Sequence, residues 1–505
     1  MADTISGFLA SHDAELPAIG APGREWLSYG ELRALALEVE RSLRGYGIGP
    51  ADRVAIVLPN GPAMATAFVT VAQAAVTAPL NPAYREEEFS FYLDDLQAKA
   101  IIVQEGYDGT ALSAAERFGL KVIRLAEHSS LAGAFILSAE TGETSVGSVG
   151  ADDVALILHT SGTTSRPKIV PLLQRNLAAS ARHIGTTLAL TSSDRCLNIM
   201  PLFHIHGLVS AVSASLASGA SIFCAPGFDA LRFFGWMGEA RPTWYTAVPT
   251  MHQAILSRAG RNAEVIAGNP LRFIRSSSAS LPPQVFQALV EAFDAPVIES
   301  YGMTEAAHQM ASNPLPPAAQ KPGSVGIAAG PEVRVAHEVE DTLTKGTGEI
   351  VISGPNVTPG YEGNPEANAK NFFEADGKRW FRTGDQGAFD EEGYLRLTGR
   401  LKEIINRGGE KISPLEVDEV LMDHPAVAQC VAFALPHPKL GEEVAAAVVL
   451  RAGEAADERA IREFAVSRMA DFKVPRRVLI LEEIPKGATG KMQRIGMAEK
   501  LGLVT

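Results

Sequence analysis

Short apolar runs alternate with longer helical stretches along the first 320 residues of the chain. The runs "VALIL" (154–158) and "ASIFC" (220–224) have the length and composition of strands that are buried on both faces. The stretches between such runs are rich in Ala and Leu, which favour helices. This alternation predicts an α/β architecture with buried parallel strands.

The pattern of apolar residues and glycines along the chain changes at about residue 320. Short runs punctuated by glycine, such as "GEIVISGPNVTPGY" and "DEEGYLRLTGR", are typical of antiparallel hairpins. We therefore expect a β-rich subdomain there, and a domain boundary near Arg400, Leu401 and Lys402. The predicted domains are a large N-terminal domain over residues 1–400 and a small, mobile α+β domain over residues 401–505.

One stretch, residues 54–84, carries no charge and raises the question of a membrane span. It is interrupted by Pro59, Asn60, Pro62, Gln73 and Pro79. These residues divide it into a short strand, a turn and a buried helix, so we expect no membrane span.

The composition is that of a globular protein, with 46% hydrophobic and 20% charged residues. A formal net charge of -13 argues against a nucleic-acid or anionic-membrane partner. The acidic excess lies almost entirely before residue 401, which leaves the last hundred residues able to meet an anionic ligand. Cys196, Cys224 and Cys430 are widely separated, which supports neither a disulfide framework nor a zinc cluster. The N-terminal residues show no targeting pattern, so we expect a cytoplasmic protein.

The segment "HTSGTTSRPK" (159–168) follows the apolar run at 154–158 directly. Small residues allow backbone N–H groups to approach phosphate oxygens, hydroxyls donate further hydrogen bonds, and Lys168 supplies a positive charge. The pattern is not that of a Walker loop. Taken alone, it also fits an ordinary solvated turn.

Four further motifs follow in order, which are "ESYGMTE" (299–305), "RTGD" (382–385), "GRLKEIINRGGEKISPLE" (399–416) and "PKGATGKMQR" (485–494). Together with the first motif, they resemble the acyl-adenylate-forming superfamily of acyl-CoA synthetases, luciferases and peptide-synthetase adenylation domains. The resemblance covers nearly the whole chain. It implies an enzyme that uses ATP, Mg²⁺ and coenzyme A, with a C-terminal domain that rotates about a hinge.

The resemblance also implies a role for each matching residue. The nucleotide would be bound by Thr160, Ser161, Gly162, Thr163, Thr164, Ser165, Arg166, Pro167, Lys168, Ser278, Glu299, Ser300, Tyr301, Thr304, Asp385, Arg400 and Lys491. The catalytic residues among the matching positions would be Lys491, Glu305, Thr304 and Lys168. Tyr301 would stack on the adenine, Asp385 would bind the ribose, and Glu305 would hold the metal.

Other matching positions concern the second half of the reaction. The resemblance places the hinge at Lys402 and the coenzyme A surface at Gly408, Gly409 and Glu410. Each site residue has an ordinary alternative, such as a turn cap for Asp385 or a solvated surface role for Lys491, but the motifs together favour function. One departure is Ile169, since many relatives have glycine after the loop lysine.

The acid substrate is indicated by polar residues in three segments. The resemblance assigns the neighbourhoods of His204, Ser278 and His308 to the acid, and these side chains suit a small acid with a second carboxylate. The strings "PLFHIHGL", "LRFIRSSSASL" and "INRGGEKISP" look specifically like oxalate-CoA ligases. The expected reaction is therefore ATP-dependent formation of oxalyl-CoA through an acyl adenylate.

Alternatives remain open at this stage. They are a CoA ligase for another short, dicarboxylic or medium-chain acid, a stand-alone adenylation enzyme that loads a carrier protein, and a catalytically inactive binding protein. We also expect that Lys491 is a target for a lysine acetyltransferase and deacetylase, because acetylation would remove its charge.

Overall fold

The structure is a computed structural model that describes residues 3–138, 147–160, 167–485 and 492–504. The described residues form four β-sheets. Three of the sheets lie before residue 401 and one lies after it.

The first sheet is built mainly from parallel strands. The helices up to residue 173 are α1 (Ile5–Ala10), α2 (Tyr29–Gly45), α3 (Pro62–Val71), α4 (Glu86–Asp95) and α5 (Thr110–Arg117). The strands of this sheet are β3 (Arg53–Val57), β4 (Val76–Pro79), β5 (Ala100–Gln104), β6 (Lys121–Glu127), β7 (Phe135–Leu137), β8 (Val154–His159) and β9 (Ile169–Leu173). Two earlier strands, β1 (Pro17–Gly20) and β2 (Leu27–Ser28), belong to the second sheet. The strand order is β7-β6-β5-β3-β4-β8-β9, with β7 and β9 antiparallel to their neighbours. The uncharged stretch thus folds as β3, α3 and β4.

The second sheet carries the residues of greatest interest. Its further helices are α6 (Gln174–Thr187), a π-helix (His206–Ser213), α7 (Ala214–Ala217), α8 (Phe233–Ala240), α9 (Pro249–Ala259), α10 (Ala263–Gly268) and α11 (Pro283–Phe293), with 3₁₀ turns at Gly260–Asn262 and Thr304–Ala306. Its strands are β1 and β2 with β10 (Arg195–Asn198), β11 (Ser221–Cys224), β12 (Trp244–Ala247), β13 (Phe273–Ser276), β14 (Val297–Met303), β15 (His308–Ser312) and β16 (Ile327–Ala328). The order is β16-β15-β14-β13-β12-β10-β11-β1-β2, and β14, β13, β12, β10, β11 and β1 are parallel.

The third sheet is antiparallel, as the glycine-punctuated runs predict. It contains β17 (Glu332–Ala336), β18 (Leu343–Thr344), β19 (Gly348–Ser353), β20 (Phe372–Ala375), β21 (Lys378–Phe389) and β22 (Leu395–Arg400), with helix α12 (Pro365–Asn371) between β19 and β20. The order is β18-β17-β19-β21-β20, and β22 also pairs with β21. This pairing sets Asp385 opposite Arg400.

The C-terminal part has its own sheet and core. It contains β23 (Ile405–Arg407), β24 (Glu410–Ile412), α13 (Pro414–Met422), β25 (Val427–His437), β26 (Gly441–Leu450), α14 (Glu458–Val466), β27 (Arg477–Ile480) and α15 (Met497–Lys500). The chain passes from the third sheet to this one between Arg400 and Ile405. An ion pair of 2.7 Å between Arg396 and Glu419 joins the two parts. The boundary predicted at residues 400 and 401 lies at the start of this connection and stays a prediction.

Across the described ranges, no helix is both long and apolar enough to cross a membrane.

The hairpin of β14 and β15 depends on a close approach of its two strands. Gly302 pairs with Gln309, and Met303 pairs with His308. A Cβ atom placed on Gly302 would lie 2.1 Å from the carbonyl oxygen of His308, far inside van der Waals contact. The absence of a side chain at Gly302 therefore fixes the position of His308.

We expect Gly302→Ala to destabilise the protein by more than about 2 kcal/mol, because the backbone at His308 cannot move away from the added methyl group without breaking the hairpin. The matched control is Gly235→Ala on the exposed face of α8, where an added Cβ meets nothing within 4 Å. There the same change should stabilise the helix by roughly 0.5–1 kcal/mol. Urea denaturation of the two variants checks both signs, and a neutral Gly302→Ala variant would contradict this account of the hairpin.

Candidate active site

The carboxyl ends of parallel strands meet at one edge of the second sheet. Strands β10, β12, β13 and β14 run in the same direction, so the residues that end or follow them lie close together in space. These residues include Thr246 at the end of β12, Ser278 after β13 and Glu305 after β14. This edge is the place where an open parallel sheet commonly binds its ligand.

His206 lies at the centre of this edge and is buried. Its Nδ1 is 3.0 Å from the hydroxyl oxygen of Ser278, and its Nε2 is 2.6 Å from the hydroxyl oxygen of Thr246. The ring of the buried His308 lies 5.1 Å away, centroid to centroid. The chain thus brings together two imidazoles and two hydroxyls from four separate segments.

His206 begins an eight-residue π-helix, a rare element that is found mostly at functional sites. His204, which the sequence assigns to the acid, lies just before it, is half-buried, and packs its ring 4.6 Å from that of Phe203. The hydrogen-bond partner of Ser278 is His206. The role predicted for His204 stays a prediction, and His206 is an additional residue of the site.

Three residues of this region have left-handed backbone conformations without being glycine. The φ angles are +74° at Ser278, +47° at Ala307 and +98° at His308. Such conformations are sterically unfavourable for residues with a Cβ, and they persist only where the surroundings hold them. The close contact at Gly302 and the Ser278–His206 hydrogen bond are two of the interactions that hold this region.

A second group of side chains joins the sheet edge to the third sheet. The hydroxyl of Tyr301 donates to Oδ2 of Asp385 at 2.5 Å, and Nε of Arg400 lies 3.4 Å from Oδ1 of the same carboxylate. Burial raises the pKa of Tyr301, and the neighbouring Asp385 carboxylate raises it further. Residues predicted to bind the adenine and the ribose are therefore in direct contact. Ser300, predicted nearby, donates to the carbonyl oxygen of Ser276.

Tyr361 links two predicted catalytic residues. Its hydroxyl donates to Oε1 of the buried Glu305 at 2.8 Å, and Nζ of Lys168 lies 4.3 Å from the centroid of its ring. Burial raises the pKa of Glu305, whereas the Tyr361 hydrogen bond and the charges of Arg400 and Lys168 lower it. Sequence reasoning missed Tyr361, although its position in "TPGY" among glycine and proline marks a constrained segment.

The loop that contains the hydroxyl-rich motif joins an antiparallel pair of strands. The backbone N–H of Thr160 donates to the carbonyl oxygen of Lys168 at 3.0 Å, which closes the base of the loop. Ile169 then pairs with His159 as the first residue of β9, and extended backbone accommodates its branched side chain. Pro167 lies at the same end of the loop, while residues 161–166 lie outside the described residues, as does Lys491.

Glu299 is buried against the segment that follows β13. Its Oε1 accepts a hydrogen bond from the backbone N–H of Leu281 at 2.9 Å. Its Oε2 has no hydrogen-bond partner in the described structure. Burial raises the pKa of Glu299 to about 8, only partly opposed by the Leu281 N–H, and Glu419 of α13 adds to the increase.

The predicted coenzyme A surface is a tight hairpin turn between β23 and β24. Arg407 pairs with Glu410, and the two residues between them, Gly408 and Gly409, have φ angles of +61° and +99°. A two-residue turn of this kind favours glycine at both positions. The turn geometry thus accounts for both glycines, and Glu410 beside them is exposed. Their role toward coenzyme A stays a prediction.

The last two predicted residues are Lys402, predicted as the hinge, and Thr304, predicted as catalytic. Lys402 is exposed in the connection after β22, and its charge lowers the pKa of Lys168, although burial is the larger cause. Thr304 is half-buried at the start of a 3₁₀ turn, next to Glu305. The two lysines therefore lie near enough for their charges to interact.

Comparison with known proteins identifies the chain's family. The AMP-binding enzyme family matches residues 10–362, and the AMP-binding enzyme C-terminal domain matches residues 416–491. The chain belongs to the AMP-binding enzymes. The predicted superfamily is confirmed.

Two curated relatives cover most of this AMP-binding enzyme. Oxalate–CoA ligase from Arabidopsis thaliana is 45% identical over 509 residues, which span 97% of this chain and 97% of the relative. Oxalate–CoA ligase from Saccharomyces cerevisiae is 41% identical over 476 residues, which span 89% of this chain and 86% of the relative. The similarity extends over nearly the full length of the chain, so it includes both the N-terminal and the C-terminal part.

The fold is also that of a solved structure. ATP-bound MatB from Rhodopseudomonas palustris is 29% identical and has a TM-score of 0.89, with 99% of each chain covered. The apo form of MatB has a TM-score of 0.80 at the same coverage. The predicted α/β fold with a large N-terminal and a small C-terminal domain is thus confirmed, and the arrangement is nearer to that of the ATP-bound form.

Glu299 makes the stability of this AMP-binding enzyme depend on pH. A carboxyl group with a higher pKa in the folded state binds its proton more tightly there, so its contribution to stability is lost as pH rises between about 4.5 and 8. The loss is about 1.4 kcal/mol for each unit of pKa difference. Glu299→Gln keeps an acceptor for Leu281 and removes the titration, so its stability relative to wild type should increase from pH 5 to pH 8.

Thermal unfolding midpoints of wild type and Glu299→Gln at pH 5, 6.5 and 8 measure this effect. Glu264→Gln, at an exposed position on α10, is the control for the loss of one surface charge. A difference between wild type and Glu299→Gln that is the same at all three pH values would contradict a buried, titrating carboxyl group.

Proposed function

We propose that this AMP-binding enzyme joins oxalate to coenzyme A, giving oxalyl-CoA, AMP and pyrophosphate. The observation that carries the proposal is the polar group at the sheet edge, in which the half-buried Ser278 lies against the buried His206 and His308. Two relatives named oxalate–CoA ligase, similar over nearly the whole chain, support it. The family and these relatives imply the use of ATP and coenzyme A.

In the first step, an oxygen of the acid attacks the α-phosphorus of ATP. The bond from that phosphorus to the bridging oxygen breaks, and pyrophosphate leaves with the electron pair. Negative charge that develops on the phosphoryl oxygens requires fixed positive charges near them. Lys168 and Lys491 are proposed to supply them.

The adenosine is proposed to lie against the Tyr301–Asp385–Arg400 group. The Asp385 carboxylate would accept hydrogen bonds from the ribose hydroxyls, while the Arg400 guanidinium, with its Nε 3.4 Å from Oδ1, orients it. Tyr301 would present its ring to the adenine while its hydroxyl stays on Asp385. One hydrogen-bonded group would thereby orient base and sugar together.

Magnesium is expected to lie at Glu305. Described residues hold no cluster of three or more His, Cys, Asp and Glu side chains placed for a metal ion. A single carboxylate suits Mg²⁺, which commonly takes one or two protein carboxylates and completes its shell with phosphate oxygens and water. Glu305 offers a buried, hydrogen-bonded carboxylate beside Lys168. When bound, the ion would neutralise charge on the phosphates.

In the second step, the sulfur of coenzyme A attacks the carbonyl carbon of the acyl adenylate. A carbon–sulfur bond forms, the bond from that carbon to the phosphate oxygen breaks, and AMP leaves while the thiol proton passes to solvent. The turn at Gly408 and Gly409 is proposed to be brought to the adenylate by rotation at Lys402. Arg407, one basic candidate for the coenzyme A phosphates, is 2.6 Å from Glu443 in the present arrangement.

The acid pocket suits a substrate that is small and carries two negative charges. His206 has hydrogen bonds at both ring nitrogens, so we assign it to holding Ser278 in place. Ser278 and His308, with His204, are proposed to bind the carboxylate that does not react. A long apolar chain would gain nothing from these polar groups. Cytoplasmic location and acetylation of Lys491 remain predictions.

The acid preference can be tested with a panel of oxalate, malonate, succinate, acetate and octanoate, assayed by pyrophosphate release with and without coenzyme A. We expect oxalate to have the highest kcat/KM of these acids. We also expect repeated release of pyrophosphate to require coenzyme A. The Ser278→Ala variant should raise the KM for oxalate by about tenfold, since a hydrogen bond to a charged group contributes roughly 1.5–3 kcal/mol. Ser257→Ala, which removes a hydroxyl from α9, is the control variant.

Preference for octanoate, or transfer to a carrier protein in place of coenzyme A, would overturn the proposal. The first outcome would establish a medium-chain ligase, and the second a stand-alone adenylation enzyme.

Tyr361→Phe tests the role of Glu305. The hydroxyl of Tyr361 lowers the pKa of Glu305 against the effect of burial, so its removal should raise that pKa further. If ionised Glu305 is required, the acidic limb of the pH–activity profile should move to higher pH by about one unit, which corresponds to one hydrogen bond. Tyr394→Phe, whose hydroxyl donates to the carbonyl oxygen of Ala319, is the control. A uniformly lower rate with an unmoved limb would assign Tyr361 to packing alone.

A further inference from the structure

Arg275 is completely buried in the middle of the second sheet. It lies on β13, between Thr246 of β12 and Ile298 of β14 in the strand register. Thr246 is the residue that binds Nε2 of His206. The guanidinium therefore lies in the layer directly behind the proposed acid pocket.

The partners of Arg275 carry no charge. One terminal nitrogen donates to the hydroxyl of Ser210, and the other donates to Oε1 of Gln309 at 3.1 Å. Its Nε has no hydrogen-bond partner in the described structure. Over the described ranges, no carboxylate lies within ion-pair distance of this guanidinium.

A buried cation without a counter-ion is costly for folding. Desolvation lowers the pKa of Arg275 to about 9, so the group is still charged at neutral pH. Other buried arginines of this chain avoid the cost. Arg382 pairs with Glu349 at 2.6 Å, and Arg44 pairs with Glu40 at 3.3 Å. Arg275 therefore differs from them in lacking the anion.

The two hydrogen bonds of Arg275 reach the two elements that carry the pocket histidines. Ser210 lies one helical turn after His206 on the π-helix, and Gln309 follows His308 on β15. Ser278 lies three residues after Arg275 on the same segment. A single guanidinium thus connects three of the four segments that supply polar groups to the pocket.

We propose that Arg275 is a positioning and specificity residue that makes this enzyme select acids with two negative charges. The second carboxylate of the substrate supplies the counter-charge that the described part of the chain does not place beside Arg275, and the guanidinium stabilises it from behind His206 and His308 without contact. This inference rests on the proposed oxalate-binding site. A monoanionic acid of similar size is stabilised less by the positive charge of Arg275.

The test compares oxalate with glyoxylate, which has nearly the same size but one negative charge. In the Arg275→Met variant, kcat/KM for oxalate should fall at least about tenfold more than kcat/KM for glyoxylate, mainly through KM, with the KM for ATP unchanged. Arg275→Lys keeps the charge and should retain part of the preference. The control is Arg44→Met, a buried arginine that donates to the carbonyl oxygens of Ile48 and Ala74.

A second variant keeps the test decisive if Arg275→Met does not fold. Gln309→Glu places a carboxylate beside the guanidinium, so the protein supplies its own counter-ion. The oxalate preference over glyoxylate should fall about tenfold. Because the substitution also removes the hydrogen bond from Nε2 of Gln309 to the carbonyl oxygen of Ala329, the thermal unfolding midpoint is compared with and without oxalate within the variant. Addition of oxalate should then raise the midpoint less than it does in wild type.

The outcomes separate the two proposals. If wild type uses glyoxylate as well as oxalate, the proposed function fails. If wild type prefers oxalate but the Arg275 and Gln309 variants lose activity toward both acids equally, Arg275 is a structural residue and this inference is overturned.

Discussion

The active site depends on one geometric constraint, which is that parallel strands present all of their carboxyl ends at the same edge of a sheet. Strands β10, β12, β13 and β14 are neighbours with the same direction. Residues that are as far apart in sequence as His206 and His308 therefore meet across 5.1 Å. The antiparallel third sheet then brings Asp385 to Tyr301, which joins the nucleotide region to the acid region.

Much of this arrangement could be predicted from the sequence because it follows from local patterns. The apolar runs indicated buried parallel strands, and the glycine-punctuated runs indicated hairpins. The five motifs, taken in their order along the chain, resembled those of a known family, and that resemblance implied the nucleotide residues. Tyr301 and Asp385 are in contact as their predicted roles require, although contact alone does not establish those roles.

Other features could not be predicted, because they arise from packing between distant segments. Nothing in "PLFHIHGL" distinguishes the histidine that binds Ser278 from its neighbour, since the choice depends on the start of the π-helix. Tyr361 becomes a partner of Glu305 only when the segment after β19 crosses the sheet edge. Among the described residues, the lack of an anion at Arg275 is likewise a property of the folded layer, and a sequence in which acidic residues outnumber basic ones gives no sign of it.

The left-handed backbone at Ser278, Ala307 and His308 has a consequence for how the pocket meets its substrate. These conformations are held by contacts within the protein, so the proposed acid pocket would have its shape before any acid arrives. Binding then costs little conformational entropy, because the protein is already ordered. This favours a small, rigid acid, which buries too little surface to offset a large entropy loss. The same stiffness denies a larger acid the backbone adjustment by which an adaptable pocket would admit it. At the proposed acid pocket, size exclusion would accordingly be a property of the main chain.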